Sequence, residues 1–465
     1  MFIKLIFSII LFAITGVFSL FGLDLPTTQI HDDSILRVRL RDAWMTESPL
    51  RVMAQSPVIH TLYGGDRVQV RTEAGQEEFM VIFARELKRG RIATRENPAV
   101  PRMATGQFPG WAQGSWMLIR RRDTGQPVSI RAFLRSDPFM YVQFRPNGAD
   151  RSHLDVVIYG SYVVYSLPLP VPFERLYTMP INEALNLAGN RFPRRFFDPN
   201  PGDYFVQRDF IHQVRQHLPN LRFVNDGAID ENGNFVFIAS GQRQSADPSI
   251  NDGGLNCSGF AKWLIDGILR PITGQRLAIP PLKAPFGDRG SAFTDPWEEL
   301  RDPFFGLDWI RNLASTAGAV ILSPAHARLE EIEVRRNAAS RVMVPAPNRT
   351  FVTRSFPGFL PDAGYGIEGL HALLYTLAID EPNRFFLAAV NAELGAPVTP
   401  ASPRPRMRQY FHVAAFVPFF DEFGEFRIAV FESAAETSFA AFRNRYPLGH
   451  HVNLVRVPIR AAFDP

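Results

Sequence analysis

The hydrophobic pattern divides the chain into a strand-rich first third and a mixed remainder. Up to about residue 165, short apolar runs alternate with turns that contain Gly, Pro and Asp, which is typical of β-strands. The predicted strands are Ile35 to Leu40, Arg67 to Arg71, Phe79 to Ala84, Trp116 to Arg120, Val128 to Phe133, Met140 to Phe144 and Leu154 to Tyr165. We therefore predict a small all-β domain over residues 24–165, either a binding module or a packing domain without a ligand.

A Pro-rich segment follows, and the pattern behind it changes. Residues 166–180 begin Ser-Leu-Pro-Leu-Pro-Val-Pro and predict a stiff linker. Helical spacing then marks Asn182 to Ala188, Gln207 to Gln216, Trp297 to Arg301, Leu307 to Ala314 and Gly366 to Ile379. Strand patterns mark Asn234 to Ser240, Tyr410 to Val417, Phe426 to Phe431 and His451 to Val457. Helices followed by antiparallel strands predict an α+β domain over residues 181–465.

The N-terminus predicts export from the cell. Lys4 precedes an apolar run from Leu5 to Leu23, so residues 1–23 have the pattern of a cleaved signal peptide or of an uncleaved membrane anchor. Both alternatives place the rest of the chain across the membrane. Because the chain has one cysteine, it cannot form an internal disulfide.

Composition narrows the function classes. The chain is 46% hydrophobic and 21% charged with a net charge of +4, which is typical of a globular protein. The arginines are scattered, so nucleic acid is not an expected partner. The pair His450 and His451 lacks spaced carboxylates, and we therefore predict no metal and no cofactor.

The single cysteine, Cys257, lies where a helix is expected to begin. The segment from Ser249 to Gly254 has the composition of a loop, and apolar residues recur at helical spacing after Cys257. Unpaired N–H groups and the helix dipole favour a thiolate at this position. The alternative for a lone cysteine is a small buried hydrophobic side chain. Gly259 is expected to permit the close approach of another backbone.

A nucleophilic thiol needs a base and a third group that orients the base. His412 lies in a predicted strand that continues through Asp421-Glu422-Phe423-Gly424 into a second strand ending at Glu432 and Ser433. A hairpin turn centred near Glu422 would place Glu432 opposite His412. A register shift of one residue would place Ser433 there instead.

These residues resemble a known family. Asn-Cys-Ser-Gly-Phe at a helix start, His-Val-Ala-Ala-Phe-Val on a strand and a polar residue on the hairpin partner are similar to the motifs of the NlpC/P60 cysteine peptidases, bacterial enzymes of papain-like fold. The resemblance implies that Cys257 is the nucleophile, His412 the general base and Glu432 the orienting residue. It also implies substrate contacts by Asn256 and Ser258, although the family usually has Asp at the position of Asn256.

The resemblance also implies a substrate and a location. The family cleaves peptidoglycan stem peptides, so the chain would be a cysteine hydrolase of the bacterial cell envelope, periplasmic, secreted or anchored to the inner membrane, with peptidoglycan as its partner. The distance along the chain from Cys257 to His412 implies a large insertion at about residues 271–405. Two alternatives remain at this stage: a non-catalytic envelope protein on a papain-like scaffold, and acyl transfer by the same residues. The sequence leaves the oligomeric state open.

Overall fold

The structure is a computed structural model of the 465-residue chain. It describes residues 24, 26–30, 32–87, 90–91, 101–102, 106–247, 249–287, 302–334, 341–345, 351–355, 358–360, 363–394 and 407–465. The predicted export segment, residues 1–23, and the predicted helix at Trp297 to Arg301 lie outside these residues.

The helices are α1 (Ser34–Leu40), α2 (Pro49–Met53), α3 (Ile181–Asn186), α4 (Phe205–His217), α5 (Cys257–Thr273), α6 (Ile279–Leu282), α7 (Phe305–Ile321), α8 (Leu329–Ile332), α9 (Leu370–Asp380) and α10 (Phe439–Arg445). A π-helical turn, Arg41–Thr46, continues α1. Turns of 3-10 helix are Thr27–Gln29, Phe173–Tyr177, Gly189–Arg191, Arg194–Phe196, Pro201–Tyr204, Leu218–Asn220, Pro324–Ala327 and Ile367–Gly369.

The strands up to residue 237 are β1 (Val58–Thr61), β2 (Arg67–Ala74), β3 (Glu78–Arg85), β4 (Gly90–Arg91), β5 (Pro101–Arg102), β6 (Trp116–Arg121), β7 (Pro127–Ala132), β8 (Met140–Pro146), β9 (Ser152–Ile158), β10 (Ser161–Leu169), β11 (Gly227–Ile229) and β12 (Phe235–Phe237). The later strands are β13 (Arg341–Pro345), β14 (Phe351–Ser355), β15 (Phe359–Leu360), β16 (Gly364–Gly366), β17 (Arg384–Leu394), β18 (Met407–Phe420), β19 (Phe426–Glu432), β20 (Ala435–Thr437) and β21 (His451–Pro458). Helices and large antiparallel sheets together make the α+β class that the sequence predicts.

The first sheet has ten strands in the order β1-β2-β3-β6-β7-β8-β9-β10-β13-β14. Its strands up to β10 pair as an antiparallel meander in chain order, except that β4 and β5, which form a separate two-stranded sheet, lie between β3 and β6 in the chain. The hairpin β13–β14 comes from much later in the chain and joins β10 in parallel. Most predicted strands of this region are present.

The segment Ile35 to Leu40 is a helix, and its prediction as a strand is wrong. Burial in α1 does not follow hydrophobicity, since Ile35 is 86% exposed whereas Arg37 is fully buried. The Arg37 guanidinium donates to the carbonyl oxygens of Tyr177 and Met179 at 2.9 and 2.7 Å. A buried arginine with backbone acceptors therefore takes a core position that the sequence pattern assigns to apolar residues.

The segment expected to be a linker is part of the folded core. Ser166 to Leu169 continue β10, and the 3-10 turn Phe173–Tyr177 buries three side chains. The expected insertion, residues 271–405, likewise contains elements of both sheets, including β17, which lies between β18 and β21. Neither segment is therefore an appendage, because each contributes strands or buried residues to a core.

The second sheet has seven strands in the order β15-β16-β21-β17-β18-β19-β20. Alternate residues of β17 belong to two different cores. Phe386, Ala388 and Val390 pack with α9 and the first sheet, while Phe385, Leu387 and Ala389 pack with α4, α5 and α7. This alternation follows from the two-residue period of a strand, and it buries the sheet on both faces.

Candidate active site

Cys257 is the first residue of α5, as the sequence predicts. Asn256 is the N-cap: its side-chain oxygen accepts the Gly259 N–H at 2.7 Å, and its own N–H donates to the Gly227 carbonyl oxygen at 2.9 Å. Asn256 provides this cap. Its backbone is extended, and its side-chain oxygen accepts an N–H of the first turn that would otherwise be unpaired. Within the described part of the chain, the Cys257 N–H has no acceptor. Because this N–H has no hydrogen-bond acceptor among the described residues, it is available to bind an oxyanion.

Gly259 lets the start of α5 lie against β11. A Cβ atom at position 259 would lie 2.0 Å from the Gly227 carbonyl oxygen and 2.9 Å from the Ala228 Cα. Both neighbours are backbone atoms that cannot rotate away. The close approach expected for Gly259 is therefore present, and it fixes the helix start that carries Cys257.

The Cys257 thiol is partly buried, and His412 on β18 acts on its acid–base equilibrium. Burial alone would raise its pKa, but the hydrogen bond and charge of His412 outweigh burial and lower the pKa below its ordinary value. Smaller contributions in the same direction come from the Val413 N–H and the Ser258 hydroxyl. A lowered pKa favours the thiolate, which is the nucleophilic form of cysteine.

His412 and Glu432 are hydrogen-bonded partners. Nε2 of His412 lies 2.7 Å from Oε2 of Glu432, whose side chain is 5% exposed. With Nε2 held by the carboxylate, Nδ1 is the ring nitrogen that remains for the thiol. A carboxylate on the far side of an imidazole orients the ring and stabilises its protonated form.

The hairpin register differs from the one expected, although the contact is the same. The pairs Phe420 with Phe426 and Ala415 with Phe431 show that the turn is centred on Phe423, one residue beyond the predicted centre. Asp421 causes this, because its carboxylate accepts the N–H groups of Phe423 and Glu425 at 3.0 and 2.9 Å and closes a longer loop.

A shift of the turn centre by one residue shifts each partner by two, which keeps every side chain on its face. Glu432 therefore reaches His412 as a diagonal neighbour and not as the directly opposite residue. Ser433 is not the partner of His412. It forms a left-handed turn with Ala434, with φ of 51° and 64°, that leads into β20.

Ser258, expected to contact substrate, is buried behind the nucleophile. Its carbonyl oxygen accepts the Trp309 indole N–H at 2.9 Å, and its hydroxyl lies 4.0 Å from the Cys257 sulfur. The oxygen of the Asn256 side chain is engaged in the helix cap. Both residues thus shape the start of α5 in this structure.

Two residues at the end of α10 complete the site, and the sequence interpretation missed both. Arg445 forms an ion pair with Oε1 of Glu432, the carboxylate oxygen that His412 does not use. The Tyr446 ring lies beside the His412 ring, with centroids 6.0 Å apart and planes 30° apart. Burial raises the pKa of Tyr446, the charge of Arg445 opposes this shift, and the charge of Cys257 adds to it.

A weak signal for this contribution exists in the sequence. Ser438 caps α10 by accepting the Ala441 N–H at 3.0 Å, and the motif Ser-Phe-Ala-Ala-Phe predicts a short helix just after the hairpin. Nothing in the local pattern indicates that the end of this helix folds back over His412. That contact is purely tertiary.

Other kinds of site have little support. Among the described residues, no group of three or more His, Cys, Asp or Glu side chains is arranged to hold a metal ion. The helices within the described ranges also include none that is long and apolar enough to cross a bilayer.

One family model matches part of the chain. A family model described as a domain of unknown function, DUF8515, matches residues 26–196, which is less than half of the chain. No curated protein and no solved structure matches the chain.

Proposed function

We propose that the protein is a cysteine hydrolase that cleaves amide bonds through Cys257, His412 and Glu432. The observation that carries the proposal is the juxtaposition of a helix-start thiol of lowered pKa with an imidazole that is hydrogen-bonded to a buried carboxylate at 2.7 Å. The order of a nucleophile on a helix, a base on a strand and an orienting group on the next strand supports a papain-like domain of NlpC/P60 type.

The geometry supports a two-step reaction. The Cys257 thiolate would attack the carbonyl carbon of an amide, and the Cys257 N–H would donate to the oxyanion. Protonated His412 would give its proton to the leaving amine, which leaves an acyl group on the sulfur. His412 would then take a proton from water, whose attack on the thioester releases the carboxylic acid and restores the thiolate.

The proposed substrate is a peptidoglycan stem peptide, and the proposed location is the bacterial cell envelope. Both rest on the resemblance of the Cys257 and His412 segments to NlpC/P60 motifs and on the apolar N-terminal run of the sequence. Asn256 distinguishes this chain from the usual motif. Because Asn256 is neutral and its oxygen caps α5, it offers no charge to a substrate amine.

The test is hydrolysis of purified wall fragments by the full-length chain and by Cys257→Ala. We expect the substitution to reduce product release to background, because the nucleophile is lost while a small, partly buried side chain is replaced by a smaller one. Products would be identified by mass spectrometry. His412→Ala is the companion variant and should lose turnover to a similar degree.

Two outcomes would contradict the proposal. If Cys257→Ala hydrolyses wall fragments as the unmodified protein does, the site does not carry the reaction. If the unmodified protein binds fragments without turnover and Cys257 reacts with iodoacetamide no faster than an ordinary cysteine, the chain is a binding protein on this scaffold.

A further inference from the structure

Three rings form a continuous surface beside the proposed catalytic residues, here called the aromatic shelf: Phe411, Tyr446 and His450. The Phe411 and Tyr446 centroids are 6.1 Å apart, and the Phe411 and His450 centroids are 6.0 Å apart. Tyr446 and His450 are 5.8 Å apart. Each ring therefore contacts the other two within the range of aromatic pairs.

The aromatic shelf begins at the reacting groups. Tyr446 stacks beside His412, the proposed base, and the charge of Cys257 acts on its phenol. A group bound against Tyr446 would consequently lie next to the carbonyl that the sulfur attacks. The shelf extends from there towards Phe411 and solvent.

A β-bulge sets the exposed end of the shelf. Val390 pairs with His412 and Asn391 pairs with Tyr410, so Phe411 is an extra residue in β18. Bulges near active sites redirect a side chain relative to the regular pleat. Phe411 is 43% exposed although it precedes a run of buried residues in β18. The chain thus leaves a large apolar ring open to solvent directly beside the base.

We propose that the aromatic shelf is a substrate subsite that binds a ring with a flat apolar face, carried next to the scissile amide. Rings of this kind occur in two sources, the aromatic side chains of peptides and the apolar faces of sugars. Clustered half-exposed rings stack on such faces because both surfaces leave water and the contact is planar. This subsite deepens the proposed function and rests on it.

The single cysteine permits a test that needs no knowledge of the natural substrate, because alkylation reports on Cys257 alone. Four reagents with the same warhead would be compared on the full-length chain: iodoacetamide, N-isobutyl-iodoacetamide, N-benzyl-iodoacetamide and N-iodoacetyl-glucosamine. We expect at least one ring-bearing reagent to react roughly three- to tenfold faster than the isobutyl reagent, the order expected for one aromatic contact. The faster of the two ring reagents identifies the source of the ring.

Substitutions then locate the effect. In Phe411→Ala the ratio of ring-bearing to isobutyl rates should fall towards one, and Phe411→Leu should lower it as well, since leucine keeps apolar bulk without a flat face. Phe205→Ala, which removes an exposed phenylalanine at the start of α4, is the matched control and should keep the ratio. Ratios within one variant cancel any change in the reactivity of the thiol.

The outcomes separate the subsite from the proposed function. If Cys257 is activated towards iodoacetamide but shows no preference for rings, the subsite is wrong and the hydrolase proposal stands. A preference that survives both Phe411 substitutions likewise overturns the assignment to the shelf. If Cys257 reacts as slowly as an ordinary cysteine with every reagent, the proposed function itself fails.

Discussion

His371 and His412 both lie against aromatic rings, yet of these two only His412 has a carboxylate partner. His371, on α9, stacks on Tyr159 with centroids 3.7 Å apart, at the junction between α9 and the turn from β9 to β10. His412, on β18, lies beside Tyr446 at 6.0 Å. Both rings are partly buried. The packing is thus similar, and the difference lies in the charged group that each imidazole meets.

His412 meets a carboxylate, whereas the charged neighbour of His371 is Arg443. Burial lowers the pKa of His371 to about 4, and the positive charge of Arg443 adds to this shift. His371 is therefore neutral at physiological pH and serves as a packing ring. Glu432 instead gives His412 a carboxylate partner, with Nε2 and Oε2 2.7 Å apart. The comparison teaches that the carboxylate, and not the aromatic surroundings, distinguishes the proposed base.

The largest effect on this comparison is expected from Glu432→Gln. The variant keeps the shape of the side chain but removes the carboxylate that holds Nε2 of His412, so the ring loses the charged group that orients it for proton transfer to the leaving amine. We expect kcat/KM for wall fragments to fall about a hundredfold or more, within the range that acid–base catalysis contributes.

Glu436→Gln is the matched control for this substitution. Glu436 lies on β20, next to the site strand, and pairs with Arg215 at 2.7 Å on the surface. Its activity should stay within about twofold of the unmodified protein. Equal losses in both variants would show that a general change of charge, and not the contact with His412, lowers activity.

A second prediction concerns stability and isolates His371. Because its folded pKa is about 4 and the ordinary value is 6.5, the unfolded chain binds a proton at His371 before the folded chain does as pH falls. The contribution of neutral His371 to stability is complete above about pH 6.5 and is lost progressively down to about pH 4. His371→Phe keeps the stacked ring without this titration.

The unfolding free energies of the two proteins should be compared by denaturant titration from pH 7.5 to 4. Relative to the unmodified protein, His371→Phe should gain about 2–3 kcal/mol over this interval, since a pKa difference of one unit corresponds to about 1.4 kcal/mol. The other titrating groups are the same in both proteins, so their effects cancel in the difference between the two unfolding free energies. A difference that does not change with pH would mean that His371 is not held neutral by its packing.

The smallest expected effect is that of Arg445→Gln. The guanidinium faces the second oxygen of Glu432, and its positive charge disfavours protonation of the coupled Cys257, His412 and Glu432 groups. Its removal should shift the pH profile of Cys257 alkylation by up to about one unit towards higher pH. The shift is limited because half of the Arg445 side chain is exposed to solvent.

Arg443→Gln, on the same helix, serves as the control. Arg443 lowers the pKa of His371 and is not among the groups that shift the pKa of Cys257. It should leave the alkylation profile in place. A shift of the Arg445→Gln profile towards lower pH would contradict the assigned charge interaction.

Much of the site follows from local sequence. The loop composition before Cys257 and the helical spacing after it predict the start of α5, and the structure begins the helix at that residue. The sequence predicts Glu432 as the partner of His412, although the turn is centred one residue later than expected. An error of one residue in the turn centre moves each cross-strand partner by two positions, which keeps the partner on the same face of the strand. Two-residue periodicity therefore made the contact robust to the exact register.

The sequence-based predictions were wrong where a polar side chain is buried and where strands that are far apart in the chain pair with each other. Arg37 occupies a core position in α1 because backbone carbonyls from Tyr177 and Met179 satisfy it, and no local pattern reveals acceptors so far along the chain. The hairpin β13–β14 joins the first sheet for a similar reason. Its pairing with β10 is a long-range choice that hydrophobic periodicity does not encode.

The sequence by itself determined the α+β class, the helix-start position of Cys257 and the face shared by His412 and Glu432, because caps, turns and strand alternation act over a few residues. Only the tertiary structure decided that Arg445 pairs with Glu432 and that Tyr446 covers His412. These contacts depend on how α10 packs against the sheet, through Phe442 on Phe416. Packing of this kind depends on the shape of the assembled core, which no short segment of the chain specifies.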